Sequence, residues 1–185
     1  MRAEITAASQ RLIDSGADVL TLRAIARETG IAGPSIYDHF SGLEDIHNAL
    51  VRLCFDELIG RLHEADESAE DPLDRLDAIC DAYVAYGAAF PHRYDLLYRA
   101  VRTPERKAAS GYKGAAALKI LVDSVAACAA AGLSASVNPY EDAVAVWAGI
   151  HGLTTLRASR PDFPQLHSEQ TLRDMVSRQA RITTD

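Results

Sequence analysis

Three side chains suited to hydrogen-bonded recognition lie close together in the sequence: the hydroxyl of Ser35, the phenol of Tyr37 and the imidazole of His39. Ile36 and Phe40 are four residues apart, so in a helix they share one face and can be buried together. The polar side chains are then left on the outer face. A short helix of this kind can enter a DNA major groove, which is about 12 Å wide. The stretch therefore favours a helix that contacts DNA.

The preceding residues have the pattern of another short helix. The Thr21 hydroxyl can cap its first turn, Ile25 and Ala26 supply its buried face, and Gly30 can take the left-handed conformation that ends it. Pro34 suits the first turn of the following helix, where a backbone N–H would have no partner. The two helices and the glycine turn between them predict a helix-turn-helix.

Motifs that organise common catalytic sites are absent from the sequence. It contains no Gly-rich phosphate loop, G-x-S-x-G, H-E-x-x-H or C-x-x-C. Its six histidines are scattered rather than paired at metal-ligand spacing. Cys54, Cys80 and Cys128 are far apart, and an odd number argues against a closed set of disulfides. We therefore expect no enzyme activity, no metal site and no cofactor, and a reducing cytoplasm as the location.

Composition and periodicity predict an all-α fold. The 185 residues are 48% hydrophobic and 24% charged, as expected for a globular chain of one or two small domains. The longest apolar run, 115–133, is interrupted by Lys119 and Asp123, so no membrane span is expected. Ser41 and Glu44 have the spacing of a capping box. Besides the helix-turn-helix, helices are expected at residues 3–15, 43–65, 72–90, 91–99, 112–131, 139–157 and 168–182, with loops at 102–110 and 161–167.

The helix-turn-helix resembles the amino-terminal domain of TetR-family transcriptional regulators. The matching residues are Thr21, Arg23, Ile25, Ala26, Gly30, Ile31, Ser35, Ile36, Tyr37, His39, Phe40 and Glu44. A second segment, containing Trp147, Gly149, His151, Gly152 and Leu156, is similar to the Trp-His-Gly signature of one subgroup of TetR ligand-binding domains. The resemblance implies a homodimeric regulator, in the family's usual case a repressor that a small-molecule effector releases from a palindromic operator.

The resemblance also implies which residues contact double-stranded DNA. Tyr37 and His39 would donate hydrogen bonds to phosphate oxygens, and Arg23 would reach a phosphate or a guanine. Residues near the start of the second helix would approach base edges. The complete set is Thr21, Arg23, Gly33, Pro34, Ser35, Tyr37 and His39.

Several positions depart from the family pattern. Ala32 stands where a serine usually caps the second helix, Gly33 replaces a larger polar residue, and Leu43 stands where a lysine normally contacts phosphate. Only Arg2 precedes the first helix, where most members carry a basic tail. Residues 1–50 hold four arginines and seven acids, within a chain of net charge −7. These departures predict few phosphate contacts. They also motivate an alternative function, a helical ligand-binding or interaction protein of the same fold that has lost specific DNA binding.

Aromatic residues and one histidine are the candidates for an effector site: Tyr83, Tyr86, Phe90, Tyr94, Tyr98, Trp147 and His151. These residues have two interpretations, packing in the core or lining a mostly apolar cavity between helices. Trp147 and His151 share one stripe of a helix, so a single polar group could orient an apolar ligand there. The identity of the effector does not follow from the sequence.

The resemblance divides the chain into a DNA-binding domain at residues 1–46 and an effector-binding and dimerisation domain at residues 47–185. Two copies are expected because the half-sites of a palindromic operator lie about 34–36 Å apart. We expect the last two long helices to form the dimer interface. On the helix at residues 139–157, the candidate contacts are small residues: Ala145, Gly149 and Gly152. On the helix at residues 168–182, they are an apolar patch: Leu172, Met175 and Val176.

Overall fold

The computed structural model describes residues 1–17, 19–98, 104–160, 162 and 169–183. In the helix that begins at residue 104, it describes side chains from Lys113 onward. Every regular element of this part is a helix, as predicted, and one isolated bridge pairs Ser134 with Ile182. A 3-10 helix covers Gly33–Asp38. The α-helices are α1 (Arg2–Asp14), α2 (Leu22–Thr29), α3 (Leu43–Asp66), α4 (Pro72–Ala89), α5 (Pro91–Tyr98), α6 (Pro104–Ala130), α7 (Pro139–Ser159) and α8 (Glu169–Gln179).

The described helices form two compact units. The first comprises Met1–Asp56 and His92–Lys113, and the second comprises Glu57–Pro91 and Gly114–Asp185. Helix α3 contributes residues to both units. Each unit has its own buried apolar side chains.

In the first unit, both α1 and the 3-10 helix pack on α2. Its core consists of side chains that are at most 2% exposed: Ile5, Ala8, Ile25, Ile36, Phe40, Ile46, Leu50, Cys54 and Phe55. Arg93 of α5 donates to both carboxylate oxygens of Asp14, at 2.7 and 2.5 Å. This two-point ion pair joins the end of α1 to α5.

Helix α3 begins differently from the predicted capping box. The first intrahelical bond runs from the Ile46 N–H to the Gly42 carbonyl at 3.3 Å, so Gly42 rather than Ser41 takes the cap position. The Ser41 backbone N–H donates to the carboxylate of Asp45 at 3.3 Å. The box predicted from Ser41 and Glu44 is therefore wrong by one residue, because Asp45 is the third residue of the helix that forms.

In the second unit, α4 packs against α7 and α8, and α7 packs against α8. The Asp71 carboxylate caps α4 by accepting from the N–H groups of Leu73 and Asp74 at 2.8 and 3.2 Å. Asn138 caps α7 by accepting from the Glu141 N–H at 3.4 Å. The predicted starts of both helices are confirmed. The buried side chains include Leu58, Leu62, Leu76, Ile79, Tyr83, Tyr86, Leu121, Val125, Val146, Ile150 and Val176.

Helix α6 begins at Pro104, so residues 104–110, expected to be a loop, are helical. The polar composition of this stretch gave the wrong prediction. A proline fits a first helical position, and alanine and lysine are good helix formers. The rest of that loop, 102–103, lies outside the described residues, and so does the loop predicted at 161–167 apart from Asp162.

The C-terminal end of the second unit is held by a buried carboxylate. Asp142 of α7 is 7% exposed and accepts from Ser136 at 2.6 Å and from Arg181 at 3.0 Å. Arg181 has a φ of 53°, and α8 has ended by Gln179, before the predicted end at residue 182. The left-handed residue stops the helix and lets the chain pair with residue 134.

Candidate nucleic-acid interface

Helix α2 is a regular α-helix with a defined hydrogen-bonded end on each side. The Thr21 hydroxyl accepts from the Ala24 N–H at 3.1 Å. Gly30 ends the helix at φ 72°, and the Ile31 N–H bonds back to the Ala26 carbonyl at 3.1 Å. A left-handed residue with this bond closes the helix in the way the sequence predicts. Thr21 therefore fixes where α2 begins, besides being a predicted DNA contact.

The 3-10 helix Gly33–Asp38, the recognition segment, is not the α-helix that the sequence predicts. Its cap position is Ala32, whose side chain makes no hydrogen bond, and Pro34 in its first turn has no N–H. A short helical turn is costly to nucleate, and short helical runs commonly adopt 3-10 geometry. The N–H groups of His39 and Phe40 both donate to the Ile36 carbonyl, at 3.0 and 2.9 Å, and end the segment.

The two faces of the recognition segment nevertheless agree with the predicted pattern. Ile36 is fully buried and Phe40 is 1% exposed, whereas Tyr37 is 60% exposed. The structure thus brings the seven predicted DNA contacts onto the start of α2 and the recognition segment of one unit. Four of them are exposed: Thr21, Arg23, Pro34 and Tyr37. The other three are half-buried: Gly33, Ser35 and His39.

Arg2 takes part in this region in a way that the sequence analysis missed. Its guanidinium donates to the His39 backbone carbonyl and to Asp45 Oδ1, the latter at 3.2 Å. The same group lies over the Phe40 ring, 3.8 Å from its centroid. We call this set of contacts the Arg2 bridge. It connects the end of the recognition segment to the first turn of α3, so the guanidinium of the first residue of α1 is engaged within the unit.

Few cations remain on this surface. Arg11 pairs with Glu28 at 2.9 Å, and Arg2 pairs with Asp45. Arg23 and Arg27 are exposed, and neither forms an ion pair with another described residue. Arg27 was not among the predicted contacts. It follows the buried Ile25 and Ala26 and is exposed, so it lies on the outer side of α2. Among the described residues, this surface therefore offers two available guanidinium groups.

The predicted effector residues fall in both units, five in the second and two in the first. In the second unit, Tyr83 and Tyr86 are fully buried. The Tyr83 ring meets Trp147 edge-on at 5.4 Å between centroids, and its hydroxyl lies 3.5 Å from Nδ1 of His151. Burial lowers the pKa of His151, which favours a neutral imidazole. Phe90 packs on Tyr86 at 5.4 Å.

The two remaining aromatic candidates belong to a separate cluster in the first unit. Tyr94 and Tyr98, one turn apart on α5, have ring centroids 4.9 Å from each other. Tyr98 also meets Phe55 of α3 edge-on at 6.3 Å. Tyr94 is 6% exposed, so this cluster packs α5 onto α3 within the first unit.

The residues expected to form the dimer interface are partly used inside the protomer. Leu172 and Val176 are 3% and 1% exposed in the single chain. Gly149 faces α8: a side-chain carbon there would lie 2.8 Å from the sulfur of Met175 and 2.6 Å from the amide of Gln179. Gly149 therefore lies against side chains of α8 within one chain, and a larger residue there would displace the ends of Met175 and Gln179.

Some site classes receive no support within the described residues. No group of three histidine, cysteine or carboxylate side chains there could hold a metal ion. Cys54, Cys80 and Cys128 are buried free thiols, and burial raises the pKa of Cys128 to about 11. No described helix is long and apolar enough to cross a membrane.

The fold and the site first define a class: an all-helical protein with a helix-turn-helix whose outer face is polar and whose inner face is buried. Residues 5–50 match the family described as bacterial regulatory proteins, tetR family, and residues 76–179 match the tetracyclin repressor-like, C-terminal domain. The chain therefore belongs to the TetR family and is a DNA-binding transcriptional regulator, not an enzyme.

Individual relatives agree with this assignment. An uncharacterized HTH-type transcriptional regulator of Mycobacterium tuberculosis is 31% identical over 169 residues, covering 89% of this chain and 72% of the relative. The HTH-type transcriptional repressor KstR2 of Mycolicibacterium smegmatis is 31% identical over 87 residues, 47% of this chain and 41% of its own.

Solved structures show the same fold over nearly the whole chain. A protein of unknown function from Rhodococcus sp. RHA1 has a TM-score of 0.82 and 27% identity, covering 96% of this chain and 93% of that one. FadR of Bacillus subtilis, solved in complex with stearoyl-CoA, has a TM-score of 0.78 and 15% identity over 95% of this chain and 97% of that one.

Proposed function

We propose that this regulator is a cytoplasmic homodimeric repressor, which binds a palindromic operator and leaves it when a small-molecule effector binds. Residues 1–46 would read DNA, and residues 47–185 would bind the effector and dimerise. The observation that carries the proposal is the recognition segment, where Ile36 and Phe40 are buried while Tyr37 and Pro34 face outward. This arrangement leaves a polar surface available to a groove.

The contacts with DNA follow from the exposed groups of that surface. The Tyr37 hydroxyl and the His39 imidazole would donate to phosphate oxygens, and Arg23 would neutralise a phosphate or bind a guanine. Pro34 and Ser35, together with Gly33, are small enough to let the backbone approach base edges. Arg23 is the arginine of this set, and it supplies most of the positive charge.

A second copy would dock on the outer face of α7. Five apolar or small residues recur at intervals of four along that helix: Tyr140, Val144, Ala148, Gly152 and Leu156. All of them are exposed except Gly152, which is half-buried. Tyr140, Val144 and Leu156 are 60%, 40% and 45% exposed, and a side-chain carbon at Gly152 would meet nothing within 4 Å. A matching stripe on a partner would cover these residues and form an isologous interface.

The effector would bind beside Trp147 and His151, in the part of the second unit that is similar to the Trp-His-Gly subgroup. Tyr83 contacts both residues, and the neutral His151 imidazole can donate or accept one hydrogen bond to an otherwise apolar ligand. Stearoyl-CoA bound to Bacillus subtilis FadR makes acyl thioesters a reasonable first panel. Release of DNA requires that the effector bind the two states of the regulator with different affinities.

The proposal is tested by selecting binding sites from random duplex DNA with the purified protein and measuring affinity by gel shift. We expect a palindrome with half-sites about one helical turn apart. Arg23→Ala should weaken binding, whereas Arg160→Ala, the same charge change at an exposed position of the second unit, should not. An acyl-CoA panel added to the same assay tests release. Recovery of no sequence at low salt would contradict the proposal.

The dimer is tested by placing a charge in the exposed stripe. Val144→Asp should convert the dimer to a monomer in sedimentation velocity, because two buried carboxylates would face each other without partners. Val137→Asp is the matched control, since Val137 precedes α7 and is 90% exposed. A dimer that survives Val144→Asp, or one that Val137→Asp alone disrupts, would place the interface elsewhere.

A further inference from the structure

Helix α2 carries two arginines on one side. Arg23 and Arg27 are four residues apart, so they share one face of the helix and lie about 6 Å apart along its axis. Both side chains are exposed. Ile25, which is fully buried, and Ala26, which is 8% exposed, face the core instead. We call this exposed pair of arginines the arginine stripe.

Neither arginine of the stripe is neutralised by another described residue. Arg23 and Arg27 form no ion pair and no side-chain hydrogen bond within the described part of the chain. Glu28 is the one acid of α2, and Arg11 of α1 holds its carboxylate at 2.9 Å. Because an arginine side chain is cationic, the stripe presents two positive charges on the outer face of α2.

The carboxylates of the first unit pair with other cations instead of with the stripe. Five of them do so: Glu4, Asp14, Glu28, Asp45 and Asp56. Residues 1–50 hold seven acids and four arginines, but this excess of negative charge does not lie on the outer face of α2. The charge of one face can therefore differ in sign from the charge of the whole domain, and a local cluster of cations is what meets DNA.

The place of the stripe in the helix-turn-helix favours the DNA backbone over the bases. In this architecture the second helix enters the major groove, while the first helix crosses the sugar–phosphate backbone. Helix α2 is the first of the two, and the recognition segment is the second. Arg23 is already a proposed contact, and Arg27 is one turn further along the same face. Guanidinium groups bind phosphate oxygens through paired hydrogen bonds.

We propose that Arg27 binds a phosphate of the operator backbone, beside the contact that Arg23 makes, an inference that rests on the proposed function. A contact with phosphate carries no sequence information, so Arg27 supplies affinity and orientation and does not choose bases. The stripe also explains how a domain with more acids than arginines can hold DNA. Two cations on one face of each subunit release counterions from the backbone, whatever the net charge elsewhere.

The test measures DNA affinity of the full-length protein at a series of salt concentrations. It uses two duplexes, the operator recovered by selection and a scrambled duplex of the same length and composition. Arg27→Gln should weaken binding to both by the same factor, about ten- to a hundredfold at about 0.1 M salt. It should also make the slope of log affinity against log salt shallower by about two for a dimer. Arg27→Lys keeps the charge and should keep most of the slope.

Arg52→Gln is the matched control, since it makes the same charge change at an exposed position of α3 in the first unit. It should leave the slope and both affinities unchanged. Thermal unfolding of each variant measures any structural contribution, because the last turn of a helix favours a cation whether or not DNA is bound.

An unchanged salt slope in Arg27→Gln would overturn the proposal. So would a loss of affinity for the operator alone, which would mean that Arg27 reads a base, or an equal loss in Arg52→Gln, which would reduce the effect to net charge. If the native protein bound neither duplex at low salt, the proposed function would fail and this contact with it. That result is distinct from DNA binding with an unchanged slope, which would remove only the contact at Arg27.

Discussion

The two helices of the helix-turn-helix are built by different means. Helix α2 has a hydroxyl cap from Thr21 at its start and a left-handed Gly30 at its end. The recognition segment has no side-chain cap at Ala32 and forms a 3-10 helix of six residues. The first is therefore specified by its own sequence, whereas the second depends on what surrounds it.

Tertiary contacts replace the missing local signals in the recognition segment. Ile36 and Phe40 are buried against the rest of the first unit. Arg2 holds the His39 carbonyl and the Phe40 ring and ties both to Asp45 of α3. A DNA-reading element can thus be weak as an isolated helix and still present a fixed outer face. Substitutions at single positions can separate the local contribution from the tertiary one.

The largest effect is expected from truncating a buried side chain beneath the recognition segment. Phe40→Ala should lower the free energy of unfolding by about 3–5 kcal/mol, because it removes a fully buried ring and leaves a cavity. Operator binding should be lost with it. Tyr37→Ala, three residues earlier on the exposed side, should change stability by no more than about 0.5 kcal/mol and still weaken DNA binding.

Chemical denaturation and gel shifts on the two variants distinguish the faces. The stability of Phe40→Ala and the DNA affinity of Tyr37→Ala should each fall, with Tyr37→Phe as a control that keeps the ring and removes the hydroxyl. Equal loss of stability in both alanine variants would mean that the outer face is also structural.

A smaller effect is expected from exchanging the caps of the two helices. Thr21→Ala should cost about 0.5–2 kcal/mol of stability, because the Ala24 N–H loses its acceptor. Ala32→Ser supplies an acceptor where there is none, and it should stabilise the recognition segment by a similar or smaller amount. Thermal unfolding of the single and double variants checks both signs. If Ala32→Ser destabilises the protein, the 3-10 geometry is preferred for a reason other than the missing cap.

The difference between the two helices also explains how far the sequence could predict this region. The cap at Thr21, the glycine stop and the buried pair of Ile36 and Phe40 are local patterns, and the structure contains each of them. The 3-10 geometry and the Arg2 bridge depend on contacts between residues far apart in sequence, here 37 and 43 positions. The spacing of residue types along the chain does not indicate such contacts.

The same distinction holds outside the helix-turn-helix. The Asp71 and Asn138 caps with their following prolines gave correct helix starts, since capping is a local effect. Of the small residues expected at a dimer interface, Gly149 faces α8 within one chain, whereas a side-chain carbon at Gly152 would meet nothing within 4 Å. Small residues indicate that another element can come near, and they do not say whether that element belongs to the same chain.

The Arg2 bridge can be removed by one substitution. Arg2→Ala should weaken operator binding by up to about tenfold, because hydrogen bonds of this kind contribute about 0.5–1.5 kcal/mol each. The slope of log affinity against log salt should not change, since the guanidinium is engaged within the protein. Arg23→Ala should instead make that slope shallower by about two for a dimer. A change of slope in Arg2→Ala would show that Arg2 reaches phosphate and that the bridge opens on DNA.

The smallest change in affinity, and the clearest change in salt dependence, is expected at Leu43. Few guanidinium groups are available on the DNA-reading surface, so the salt slope of the native protein should be shallow, well short of about −8. Leu43 stands where the TetR family usually has a lysine, and it is half-buried in the first turn of α3. Leu43→Lys should add one phosphate contact per subunit and steepen the slope by about two for a dimer. Leu43→Met, which keeps an apolar side chain of similar size, should leave the slope unchanged.

The measurement is operator affinity at a series of salt concentrations. An unchanged slope for the lysine variant would mean that this first turn lies away from the DNA backbone, and that the recognition segment docks by its outer face without support from α3.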